Sequence, residues 1–197
     1  DRIADVCRSF GANVAMTAAD HLTGTDRIAE AAAAVPQATH LINIQGDEPL
    51  IDPTLIDELA SALLADPALE MATAANAIDD EALMNDPNVV KCVLKNNGDA
   101  LYFSRSPLPY QRSASPALTY YRHKGIYAYR KDFLQQFIQW PPSPLELAES
   151  LEQLRALENN ARIKVIITDD TSGGIDTLEQ AEELETFLLS KNASADA

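Results

Sequence analysis

An α/β domain with a mixed, mainly parallel sheet flanked by helices is predicted by three features of the chain. Segments with helical spacing alternate with short runs of branched residues. Asn97-Gly98, between two such runs, marks an antiparallel hairpin inside that alternation. A turn bearing glycine and acids, Gln45-Gly46-Asp47-Glu48-Pro49, follows directly on one predicted strand. In open α/β sheets that position is where ligands bind.

Residues 1–10 read as a helix, with Ile3, Val6, Cys7 and Phe10 at helical spacing and Gly11 as its stop. Residues 13–17 are expected to form a short strand. Thr23 with Asp26 makes a capping box for a helix whose stripe is Ile28, Ala31, Ala32 and Val35, with Pro36 past its end. Residues 39–45 are a buried strand. Asp52-Pro53 opens a helix through Leu64, with Leu55, Leu59 and Leu63 inward.

Strands are expected over 69–75, 89–95, 100–105 and 121–129, and a Pro- and Ser-rich loop over 106–119. Ser143-Pro144-Leu145-Glu146 starts a helix that turns Leu147, Leu151 and Leu154 to the core. A strand over 162–168 and a last helix, with Asp176 near its start, close a single domain spanning 1–189. An antiparallel excursion covers about 89–130. The small, polar stretch 190–197 is expected to be a disordered tail.

Composition narrows the function classes. The chain has 197 residues, 46% hydrophobic and 23% charged, an ordinary globular balance. Its net charge of −15 repels phosphate backbones and anionic lipid, so neither nucleic acid nor membrane is expected as a partner. An anionic substrate would need a local cation cluster or a metal ion. Cys7 and Cys92 are too few and too far apart for a disulfide framework, and read as free thiols of a cytoplasmic protein. There is no P-loop, GxGxxG, GxSxG or HExxH.

The residues suited to chemistry are few. Gly46 would let a ligand approach the backbone, and Asp47 offers a hard oxygen for magnesium carrying phosphates. On residue types alone, this turn serves equally well as an acidic cap for the next helix. A second carboxylate is found in Asp176, whose bland alternative is a helix N-cap. Arg27 stands in the first turn of a helix, where a cation is disfavoured unless an anion binds; an exposed arginine paired with Asp20 or Asp26 is the simpler account. Arg105, His123 and Tyr127 would suit a carboxylated, hydroxyl-rich ligand. Glu149, Glu152 and Gln153 form a row that is either a solvated helix face or part of such a pocket.

Taken together, these segments resemble the CMP-Kdo synthetases, which activate 3-deoxy-manno-octulosonate (Kdo). The matching pieces are 19–27, 43–51, 86–91, 100–106, 122–130, 142–146, 149–155 and 174–177, in the family's order and over nearly the whole chain. Arg122-His123-Lys124-Gly125-Ile126-Tyr127 and the Leu151–Arg155 piece select the Kdo branch over other nucleotidyltransferases.

The resemblance implies a Rossmann-like nucleotidyltransferase fold, a homodimer, and the reaction of CTP with Kdo to give CMP-Kdo and pyrophosphate for lipopolysaccharide biosynthesis. It implies Asp47 and Asp176 as the magnesium carboxylates. Arg27, Gln45 and Gly46 would lie on the nucleotide side, and Arg105, His123, Tyr127, Glu152 and Gln153 in the sugar-acid pocket. The family's N-terminal strand and phosphate loop have no counterpart before Asp1, so exposed strand edges and association are expected. Two other readings stay open: a cytidylyltransferase for 8-amino-Kdo or a sialic acid, and an inactive dimerising or ligand-binding fragment.

Overall fold

The longest strand, β5 (Tyr120–Arg130), is the spine of the sheet. In the computed structural model, which describes residues 2–21, 23–113, 118–170, 172, 174–175 and 177–195, β5 pairs along one edge with β2 (Met71–Ile78). Its other edge is shared. The C-terminal half pairs with β1 (His40–Asn43) and the N-terminal half with β3 (Lys91–Leu94). Outside β3 lies β4 (Ala100–Ser104), and beyond β2 lies β6 (Ile163–Ile167), giving the order β4-β3-β5-β2-β6 with β1 beside β5. The sheet is mixed, as expected. Among the described strands, however, only β2 and β6 pair in parallel and the other pairings are antiparallel, because β5 runs against all three strands it pairs with and β3 and β4 form a hairpin.

Helices cover both faces. On one side α3 (Pro53–Ala65), started by Asp52 accepting from Thr54 N, lays Leu55, Leu59 and Leu63 on Ala72, Ala74, Ile126 and Ala128. On the other side α2 (Gly24–Ala33), α5 (Lys131–Phe137) and α7 (Gln153–Glu158) pack Ala29, Phe133, Phe137 and Leu154 against Met71, Ala75 and Tyr129. The small residues of β2 let both layers approach closely. Thr23 caps α2 by accepting from Asp26 N, as the capping pattern predicts.

The helix expected from Ser143 onward is two. After α6 (Pro144–Glu149) the chain takes a left-handed turn at Ser150 (φ 52°, ψ 50°) before α7. The break follows from a buried clamp. Arg155 donates from Nε and Nη2 to both oxygens of Glu146 (2.8 and 2.6 Å) and lies over the Phe137 ring at 4.7 Å. A continuous helix would carry Arg155 away from that face. Leu151 and Leu154 are buried as predicted, but Leu147, before the break, is 68% exposed.

Other expectations are corrected. Residues 13–17 are not a strand. No described strand pairs with them, and Arg27 and Glu30 hold the adjoining 17–18 backbone instead. The first helix forms as α1 (Arg2–Ser9), yet Ile3, Val6 and Phe10 of its stripe are exposed. The last helix, α8 (Leu178–Ala195), takes in most of the segment expected as a disordered tail, since no glycine or proline interrupts it. Sequence periodicity also missed α4 (Glu81–Asn85), too short to show a period, and α5, whose Phe133, Leu134 and Phe137 carried the signal.

The broken helix makes a prediction. Leu154→Ala should lower stability by about 2–5 kcal/mol, as for a fully buried leucine. Leu147→Ala should change it by less than about 0.5 kcal/mol. Urea midpoints of the two variants check this, and equal losses would restore the continuous helix.

Candidate active site

β5 aligns a row of rings on the face that α2 and α7 cover. His123 stands edge-on to Phe103 (5.0 Å between centroids) and tilted on Tyr127 (5.2 Å), and Tyr127 stacks on Tyr129 (5.9 Å). This spacing needs a bulge. Thr73 faces Tyr127 and Ala74 faces Lys124, so β5 carries two more residues than β2 here. Thr73 Oγ1 closes the bulge, at 2.7 Å from Ile126 O, 3.2 Å from Lys124 O and 2.9 Å from His123 Nε2. Its single proton goes to the nearest carbonyl. His123 Nε2–H therefore donates to the hydroxyl, leaving Nδ1 as the ring's acceptor.

The row is kept uncharged. Burial, with Arg122 nearby, pushes His123 down to about 3. Burial likewise raises the Tyr127 and Tyr129 phenols far above their usual range. Glu152, coupled electrostatically to both tyrosines, is raised by burial and pulled back by its bond from Thr25 Oγ1 (2.7 Å) and by Arg155, whose Nη2 lies 3.3 Å from it. Gln153 beside it is buried, and its Nε2 has no hydrogen-bond partner among the described residues. A buried donor without a partner is costly unless a ligand completes it.

Of the other expected residues, Gln45 reaches this row through Asn43. Asn43, opposite Tyr127 in the β1–β5 register, accepts from Gln45 Nε2 at 2.5 Å. A Cβ on Gly24, at the start of α2, would come within 3.7 Å of that Gln45 amide. Gln45 thus joins β1 to the helix that bears Thr25. Arg105 is largely committed to backbone. It donates to Glu149 O (2.7 Å), Pro87 O (3.0 Å) and Ser150 O (3.4 Å), and Glu149 accepts from Arg105 N and Ser104 Oγ. Three carbonyls leave two of five donors for an outside group. Arg27 turns to Thr17 Oγ1 (2.8 Å) and Ala18 O (3.1 Å).

Asp47 and Gly46 are exposed on the turn after β1. Ile175 N donates to Asp47 O at 2.8 Å, and a Cβ on Gly174 would stand 3.5 Å from Asp47 Oδ2. The turn after β1 and the connection after β6 are therefore in contact. Asp176 itself lies outside the described residues. Glu48 is half-buried and raised by burial, with one carboxylate oxygen unpartnered. Sequence reading missed Thr25, Thr73 and Lys124 because their partners lie 127, 50 and 46 residues away, and missed Asn43 and Arg155 because their nearer pairings follow no recognisable motif. Only the buried-cation pairing of Arg155 with Glu146 left a trace, as a charged residue inside an apolar helical stripe.

Comparison with known proteins decides the family. The family described as cytidylyltransferase matches residues 1–163. The chain belongs to the cytidylyltransferase family. It is 49% identical over 188 residues to the 3-deoxy-manno-octulosonate cytidylyltransferase of Solibacter usitatus, covering 95% of this chain and 74% of that one. It is equally 49% identical to the enzyme of that name from Geobacter sulfurreducens, covering 93% and 77%. Among solved structures, CMP:2-keto-3-deoxy-manno-octonic acid synthetase complexed with CTP superposes with a TM-score of 0.91 at 42% identity, over 96% of this chain and 78% of that one. A 4-diphosphocytidyl-2C-methyl-D-erythritol synthase from Anaerococcus prevotii (TM-score 0.59, 14% identity, 95% of this chain and 73% of that one) shares the fold alone.

The neutral histidine has a pH consequence. The unfolded imidazole takes up a proton below about pH 6.5, and the folded one does so only near 3. Between those values the unfolded state binds more protons, so this contribution to stability is lost as pH falls. At pH 5 it should amount to about 1–2 kcal/mol. The wild-type urea midpoint should fall more between pH 7.5 and 5 than that of His123→Gln, and the His123 ring signals in NMR should not titrate above pH 5.

Proposed function

We propose that this chain transfers the cytidylyl group of CTP to the anomeric hydroxyl of Kdo, giving CMP-Kdo and pyrophosphate. The observation that carries the reading is the Ile175–Asp47 hydrogen bond, in a chain of this family. It packs the turn of Asp47 against the connection leading to Asp176, the pair that the resemblance implies as the magnesium carboxylates.

The donor set fits magnesium. Among the described residues no three His, Cys, Asp or Glu side chains gather to hold a metal unaided. Magnesium carrying a triphosphate needs only one or two carboxylates, its other ligands being phosphate oxygens and water. Asp47 and Asp176 would hold it, and it would neutralise the charge of the departing pyrophosphate.

The residues divide the remaining work. The hydroxyl oxygen of the sugar acid attacks the α-phosphorus, the bond to the β-phosphate oxygen breaks, and the hydroxyl proton is released. Such a transfer depends on positioning and charge neutralisation more than on a protein nucleophile. Gly46 lets the nucleotide approach the backbone, and Gln45 borders it. Neutral His123 offers Nδ1 as an acceptor to a sugar hydroxyl, and Tyr127 offers a phenol that stays protonated. Glu152 and the unpartnered Nε2 of Gln153 supply an acceptor and a donor to further hydroxyls. The free donors of Arg105 suit the sugar carboxylate. Arg27 holds the 17–18 segment beside the nucleotide side.

Homodimerisation and a place in the cytoplasm belong to the same proposal and rest on the family. Among the described residues, no helix is long and apolar enough to cross a membrane.

Asp47→Asn should leave the fold unchanged by circular dichroism and reduce turnover at least about 100-fold. Magnesium-dependent pyrophosphate release with CTP and Kdo is the assay, with ATP and sialic acid as the contrasting substrates. Release with ATP or sialic acid at equal rates, or full activity in Asp47→Asn, would contradict the proposal.

A further inference from the structure

Lys124 is a buried cation that the reaction described above does not use. It sits on β5 between Arg122-His123 and the bulge, on the opposite face from the ring row, and is 3% exposed. A charge so buried must be fully paired to be tolerated. Its Nζ has four acceptors, all in one short segment: Ser172 O (2.9 Å), Asp170 Oδ2 (3.0 Å), Ser172 Oγ (3.1 Å) and Asp170 O (3.3 Å).

That segment is folded on itself before Lys124 reaches it. Asp170 N donates to Thr168 Oγ1, and Ser172 N donates to Asp170 Oδ1 at 2.8 Å. These local turns shape the loop but do not fix it to the sheet. Lys124 does. Two residues beyond Ser172 the chain reaches Gly174 and Ile175, which lie against Asp47. Glu48, next to Asp47, is drawn electrostatically to the same ammonium. One cation thus faces both the turn after β1 and the connection after β6.

We infer that Lys124 is a positioning residue, which anchors Asp170 and Ser172 to β5 and so holds Gly174 and Ile175 against Asp47. It touches neither substrate. Its effect falls on the nucleotide and metal side, whereas the ring row of the sugar side lies across the sheet. The inference rests on the proposed function for its kinetic consequence, but not for its structural one.

The full chain is tested with Lys124→Met, which keeps the length and removes the charge. Asp170→Asn, which weakens the same anchor at its less buried end, serves if the first variant does not fold. Amide hydrogen exchange is read at Gly174 and Ile175, and KM is measured separately for CTP and for Kdo. Exchange at Ile175 should rise about tenfold or more. KM for CTP and the magnesium concentration giving half-maximal rate should rise roughly 10–100-fold, the usual effect of removing support behind a metal carboxylate. KM for Kdo should stay within about twofold. A folded variant with wild-type exchange at Ile175, or one in which both KM values rise together, would overturn the inference. Absence of pyrophosphate release by the unsubstituted chain would instead defeat the proposed function, and the exchange comparison would still decide the place of Lys124.

Discussion

Thr73 Oγ1 meets Ile126 O, Lys124 O and His123 Nε2 where β5 carries two residues more than its neighbour. Much of the site depends on that junction. A regular strand would continue the alternation of faces but at a different height along β2. The bulge spends four residues of β5 on two of β2, so His123 and Tyr127 keep the same face and come into ring contact. It also leaves Lys124 on the far face, within reach of the loop after β6. A single hydroxyl in a strand of alanines therefore sets both the tautomer of the histidine and the spacing of the groups on either side of it.

Charge is distributed with the same economy. In a chain of net charge −15, the buried cations among the described residues are all committed. Arg155 grips Glu146 and steadies Glu152, Lys124 holds Asp170, and Lys91 donates to the carbonyls of Asp86 and Val89. Burial lowers the Lys91 ammonium from its usual range, which the neighbouring Asp86 opposes. The ring row and Gln153 are polar and uncharged, an imidazole, phenols and an amide, and Glu152 and Arg105 are the ionisable groups that the proposed sugar side adds to them. Such a surface discriminates hydroxyl patterns, because each buried donor or acceptor left unmatched by the wrong ligand carries a penalty. On the proposed reading the anionic nucleotide is met elsewhere, on the exposed turn of Asp47, where a metal ion would reverse the sign of the local field.

Much of this was legible in the sequence where the signal was local. The Asp52-Pro53 start, the leucines of α3, the Asn97-Gly98 turn and the helix starts at Thr23 and Ser143 need only neighbours a few residues away, and they hold, although at Thr23 the cap accepts from Asp26 N without the reciprocal bond of a full capping box. The break at Ser150 was not legible. It is imposed by Arg155 reaching Glu146, a tertiary pairing that overrides the helical spacing of Leu147, Leu151 and Leu154. Residues 13–17 failed for the complementary reason, since a strand needs a partner and none of the described strands offers one. The candidate site was readable as residue types, and the family resemblance supplied their grouping. The supports were hidden: Thr73 lies 50 residues from His123, and Thr25 lies 127 from Glu152.

The most direct test of the bulge as the organising feature is Thr73→Val, which preserves shape and removes the hydroxyl. With the fold intact by circular dichroism, steady-state kinetics should show KM for Kdo raised about tenfold, as expected for a displaced buried hydrogen-bonding group. Unaltered affinity for Kdo in the folded variant would mean that His123 is placed by its ring neighbours alone, and would contradict the account.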